Sequence, residues 1–155
     1  IMVLFAWAFD GGYAWLRKVR LQAFADLSAQ AGISKAADLI VQYASVHPNP
    51  GSETNPVLLL DDADRALIIA DNSIEVELRD YLEKNILGNG IDPIEISAVV
   101  TYPDQFISCI LTPAQRLDVK VVLTSTRPTV FGDLFGGLSS IKLEESSRQS
   151  VEFCP

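Results

Sequence analysis

The sequence predicts a three-layer α/β fold, with a mostly parallel central sheet and helices on both faces. Short apolar runs bounded by turn residues alternate with stretches of helical periodicity along the chain. Strand–helix alternation of this kind suits a parallel sheet with crossover helices. Acidic and hydroxyl residues follow the apolar runs, at the positions where parallel strands end and a binding crevice opens.

Met2–Ala8 reads as a buried strand and Gly11-Gly12 as the turn after it. Ala14–Gln30 has helical periodicity, with Trp15, Val19, Ala23 and Leu27 at i+4 spacing. Gly32 is placed to stop that helix, and Ser34 to cap a second over Lys35–Val46. Residues 47–56 hold Pro48, Pro50, Gly51 and Pro56, so they form a loop. Val57–Leu60 and Ala66–Ala70 read as short strands. Asn72 or Ser73 caps a helix through Leu87, with Ile74, Leu78, Tyr81, Leu82 and Ile86 on one side, and Gly88-Asn89-Gly90 ends it. Ile94–Val100 is the next strand, and Asp104–Leu117 is helical in pattern, interrupted by Pro113. Val119–Leu123 is a β-branched strand, Arg127–Gly137 a loop or a loop with a short helix, and Ser140–Leu143 a last short strand.

A chain of 155 residues is the size of one domain, and 48% hydrophobic against 21% charged residues predicts a well-buried core. Cys109 and Cys154 do not make a disulfide framework, so a reducing, cytoplasmic compartment is expected. The first apolar run is interrupted by Asp10 and is too short to span a bilayer, and no basic leader precedes it. No membrane partner is expected. A net charge of −8 counts against a broad nucleic-acid surface, which is normally basic, but leaves room for a local patch.

The candidate chemistry lies in the acids. Asp10 follows an apolar run and precedes two glycines that let a ligand approach the backbone, although an aspartate there can also close its own turn. Glu75 opens a helix, where the helix dipole also favours an acid, and Asp80 lies on the same helix. Asp104 follows Pro103 and fits either a metal ligand or a helix cap. Clustered carboxylates of this kind hold a divalent cation for phosphoryl chemistry. Thr101 stands at a strand end, where its hydroxyl suits a phosphate. Arg17, Lys18 and Arg20 cluster on the first helix, as RNA-backbone contacts or as a solvated face.

Four segments, in order, resemble the NYN branch of the PIN-like ribonucleases. They are Phe9-Asp10-Gly11-Gly12-Tyr13, the helix start at Asn72 through Asp80, Ser97 through Phe106, and Ala114 through Leu123. Glu75 falls at that family's helix-start aspartate, while Pro103 and Gln105 replace the aspartates of its second acidic motif. The resemblance implies a PIN-like, Rossmannoid fold and RNA cleavage with Mg²⁺ or Mn²⁺. Asp10, Glu75 and Asp104 would be ligands, with Asp80 as a further acid. The departures at Pro103 and Gln105 suggest an alternative, an α/β module that has lost catalysis and binds a protein, a second copy or RNA. Leu58–Asp62 and Lys120–Pro128 also look like strands of a P-loop NTPase, but no phosphate loop occurs. Asp62-Ala63-Asp64 looks like a haloacid-dehalogenase nucleophile motif without its later partners. His47, the only histidine, has no supporting spacing for a triad or a metal.

Overall fold

A computed structural model describes residues 2–46, 62–86, 94–101, 115–131 and 140–153. The N-terminal third is one helix, α1 (Met2–Val46), 45 residues long and about 67 Å from end to end at 1.5 Å per residue. Its inward strip follows 3-4 spacing: Ala6, Leu21, Ala25, Ser28, Ala29, Gly32, Ala36, Leu39 and Ile40 are buried. Most of these side chains are small, so the helix axis runs close to its neighbours. Ser28 keeps its hydroxyl satisfied in that strip by donating to the Phe24 carbonyl at 2.6 Å.

Two shorter helices follow, α2 (Asp62–Ala70) and α3 (Ser73–Ile86). The Ser73 amide donates to the Asp71 carboxylate at 2.8 Å, so Asp71 satisfies a backbone N–H that the first turn of α3 leaves free. Ile74, Leu78 and Leu82 recur every four residues and are fully buried. Each buried side chain of this size contributes roughly 1.5–3 kcal/mol.

The sheet is a meander of three strands, β1 (Ile94–Thr101), β2 (Gln115–Pro128) and β3 (Ser140–Phe153), in the order β1-β2-β3. Both pairings are antiparallel. Ile94 stands opposite Ser125 and Thr101 opposite Asp118, while Gln115 stands opposite Phe153 and Pro128 opposite Ser140. On β2 the alternate residues Leu117, Val119, Val121 and Leu123 are fully buried and join the core formed by the inward strip of α1 with Ile68, Ile74, Leu78 and Leu82. The opposite face of β2 and β3 carries Lys120, Thr126, Lys142, Glu144, Ser146, Arg148 and Ser150, all exposed. One sheet face therefore packs on helices, and the other faces water among the described residues.

This overturns the expected three-layer, mostly parallel sheet. The helices precede the strands in the chain, and the strands pair antiparallel, so the described residues form an α+β arrangement. Met2–Ala8 is helix, not strand, and neither Gly11-Gly12 nor Gly32 ends it. Gly32 serves packing: a Cβ there would stand 3.1 Å from Val119 Cγ1 and 3.2 Å from Leu78 Cδ1. Ser34 lies inside the same helix, and Ala66–Ala70 is helix α2. Residues 115–117 belong to β2, not to a helix. The expected loop at 47–56, the strand Val57–Leu60 and the helical stretch 104–114 lie outside the described residues.

Candidate functional site: the outer face of helix α1

Among the described residues, the acids proposed from the sequence do not meet. Asp10 is on α1, where its Oδ1 accepts the Val130 amide at 3.2 Å and its Oδ2 the Phe131 amide at 3.1 Å. Glu75 is on α3 and accepts from Arg79 Nη2 at 2.7 Å and Nε at 2.8 Å. A Cβ on Gly32 would lie 3.7 Å from Ile74 Cγ2, beside Glu75. The α1 stretch from Asp10 to Gly32 is about 33 Å long at 1.5 Å per residue, which sets Asp10 and Glu75 far apart. Asp80 pairs with Lys84, and that hydrogen bond and charge hold the Lys84 ammonium above its usual pKa.

Thr101 lies on β1 opposite Asp118, near the other end of β2 from Val130. Asp104 lies outside the described residues. Among the described residues no group of three or more His, Cys, Asp or Glu could hold a metal ion. An antiparallel meander also lacks the crevice at the ends of parallel strands on which that site depended.

Arg17, Lys18 and Arg20 do share a turn of α1, but they point in different directions. Arg17 is half-buried and lines a small pocket with Asp10, Tyr13, Ala14, Pro128, Thr129, Val130, Ile141 and Leu143. Lys18 reaches Glu145 on β3 at 3.3 Å. Arg20 is exposed.

The most unusual surface lies between these side chains. Leu4, Phe5, Trp7, Phe9, Trp15, Leu16 and Val19 are all exposed, Trp7 by 79% and Trp15 by 67%. At about 3.6 residues per turn, Leu4, Phe5, Ala8, Gly11, Gly12, Trp15, Leu16 and Val19 fall on one side of α1, opposite the buried strip. Ala23 and Leu27 extend it. The i+4 series Trp15, Val19, Ala23 and Leu27 that signals the helix in the sequence thus points outward, and the smaller residues point inward. Large contiguous apolar surface of this kind marks an interaction site. Sequence periodicity alone does not reveal it, because two apolar stripes run along one helix and nothing local says which one is covered.

Residues 1–38, about a quarter of the chain, match the model of the Tad family, described as Flp pilus-assembly TadE/G-like. No curated protein and no solved structure matches the chain. The matched segment contains Asp10, Arg17, Lys18, Arg20 and most of the exposed apolar side of α1. It replaces the ribonuclease resemblance, whose first motif lay in these same residues. The nuclease, the degenerate RNA- or protein-binding α/β module and the P-loop fragment are set aside with it. The match to a pilus-assembly family over residues 1–38 also overturns the cytoplasmic expectation.

Proposed function

We propose that this chain serves in Flp-type pilus assembly at the cell envelope, and that the outer apolar side of α1 seats it on a lipid bilayer. The exposed row from Leu4 to Val19, inside the segment similar to the Tad family, carries the reading. No helix among the described residues is long and apolar enough to cross a membrane. The exposed apolar row suits an interfacial mode: the helix lies along the headgroup–acyl boundary with its apolar side down. Trp15, on that side, suits that depth, because its ring is amphipathic. Lys18 and Arg20 follow at the end of the row, where basic side chains meet anionic headgroups.

Flotation with vesicles of phosphatidylcholine and phosphatidylglycerol tests this. The protein is expected to rise with the vesicles, and the Phe5→Ser/Trp15→Ser variant to stay at the bottom of the gradient with its fold intact by circular dichroism. Wild-type protein left at the bottom would overturn the reading. A concentration-dependent dimer that forms without lipid and is lost in the same variant would assign the row to a second copy instead.

A further inference from the structure

We propose that two copies of this chain join edge to edge through β3, antiparallel about a two-fold axis at Ser146, and so extend one sheet across both. Among the described residues β2 is paired on both sides and β3 on one, so the sheet ends at β3. An edge strand presents a row of main-chain donors and acceptors that a further strand can take up. β3 is a long and regular template for that. It pairs with β2 in unbroken register from Ser140 to Phe153, with no bulge, proline or glycine among its 14 residues. The usual devices that blunt a free edge are a bulge, a proline, a short strand or an inward-pointing charge. Only the last occurs, at Glu145, and Lys18 of α1 neutralises it at 3.3 Å.

The residue pattern of β3 selects a second copy of itself as the occupant. Sheet faces must stay aligned, so outward residues meet outward ones. About an axis at Ser146, Glu144 of one copy stands opposite Arg148 of the other, and symmetry makes this pair twice. Both side chains are available on the outer face, 60% and 53% exposed. Ile141 likewise meets Val151 twice on the inner face, where both are half-buried. An axis at Glu145 would set Lys142 against Arg148 and Glu145 against its own copy. An axis at Ser147 would leave Glu144 and Arg148 opposite serines. Helix α1 runs along the inner face of β3: Arg17 lines a pocket with Ile141 and Leu143, Lys18 reaches Glu145, and the Gln22 amide donates to the Ser146 carbonyl at 3.5 Å. A two-fold axis normal to the sheet keeps both inner faces on one side. The two α1 helices then share that side, with their exposed apolar rows facing the same way. The pairing stands on β3 and does not rest on the bilayer reading.

Sedimentation equilibrium of the whole chain, without lipid, tests this together with cysteine crosslinking. A concentration-dependent dimer is expected. Glu144→Arg sets like charges opposite each other twice and is expected to raise the dimer dissociation constant about tenfold. Glu77→Arg makes the same charge change on the exposed side of α3 and is expected to leave the constant unchanged. In a chain carrying Cys109→Ser and Cys154→Ser, mild oxidation is expected to link Ser146→Cys into a covalent dimer, and Val76→Cys, on exposed α3, far more slowly. The Phe5→Ser/Trp15→Ser variant is expected to keep the dimer, which separates this contact from one made by the outer row of α1. A chain that stays monomeric at millimolar concentration would overturn the proposal. So would a dimer indifferent to Glu144→Arg, one that crosslinks no faster at 146 than at 76, or one lost with Phe5 and Trp15. None of these results touches the bilayer reading, which flotation decides.

Discussion

Gly32 of α1 faces Val119 of β2 so closely that a Cβ on residue 32 would lie 3.1 Å from Val119 Cγ1. Leu78 Cδ1, at 3.2 Å from the same point, closes the other side. The glycine is where helix, sheet and α3 come together, at the centre of the core.

A larger side chain there must displace a stiff β-branched neighbour on a strand. Gly32→Val is expected to cost about 1–3 kcal/mol in chemical denaturation. Gly12→Ala is the counterpart, because a Cβ at residue 12 meets nothing within 4 Å. That change is expected to stabilise the helix by about 0.5–1 kcal/mol, read as slower amide exchange across residues 8–16.

Asp10→Ala removes the acceptor of two backbone amides at once. Faster hydrogen exchange at Val130 and Phe131 is expected, with a stability loss of about 1 kcal/mol. Unchanged exchange at both amides would show that Asp10 does not hold that connection.

Asp118 is 1% exposed and accepts from Arg116 Nε at 2.7 Å and from Arg148 Nη2. Arg116 also donates to Ser150 Oγ at 3.0 Å, so one acid ties β2 to β3 across their outer face. Asp118→Ala is expected to destabilise by about 1–3 kcal/mol, since both guanidiniums are partly exposed and can turn to water. Urea midpoints of the two proteins, compared at equal slope, give the value.

Asp71 supplies a pH signature. The Ser73 backbone N–H holds its carboxyl below the ordinary 3.8, while slight burial acts the other way. A depressed carboxyl contributes stability above its unfolded value and loses it as pH falls through the folded one. Asp71→Ala is therefore expected to cost about 0.5–1 kcal/mol at pH 7 and progressively less below pH ~4. An equal cost at pH 7 and pH 2 would show that the charge is not what acts at the start of α3.

How far the sequence reveals this fold depends on the segment. Ser73–Ile86 was legible because its cap and its four-residue apolar spacing agree. The strands β1 and the middle of β2 were legible from short apolar or β-branched runs, but of β3 only its first four residues, Ser140–Leu143, because the rest of it is polar. Their direction was not, since antiparallel pairing leaves no mark on one strand's composition. Met2–Phe9 misled because a short apolar run fits either element. Only Val3 in it is β-branched, and Ala6, Ala8, Met2 and Leu4 favour helix, a signal that separates the two. The phase from Leu21 through Ala25, Ala29 and Gly32 to Ala36 and Ile40 also runs unbroken past the supposed stop. The acids were legible as residues but not as a site, because strand-end reasoning assumed parallel strands. Asp10 ended as the partner of two loop amides instead.

On α1, Ala25, Ala29, Gly32 and Ala36 are turned toward the core, while Phe5, Trp15, Leu16 and Leu27 are turned away from it. The sheet supplies a hydrophilic rind on one side only. The other side offers an aromatic-bearing stripe about 27 Å long between Met2 and Val19, measured along the axis. Its bulk is carried by rings and branched chains, which lose little freedom on being covered, so docking of this side on a surface is entropically cheap.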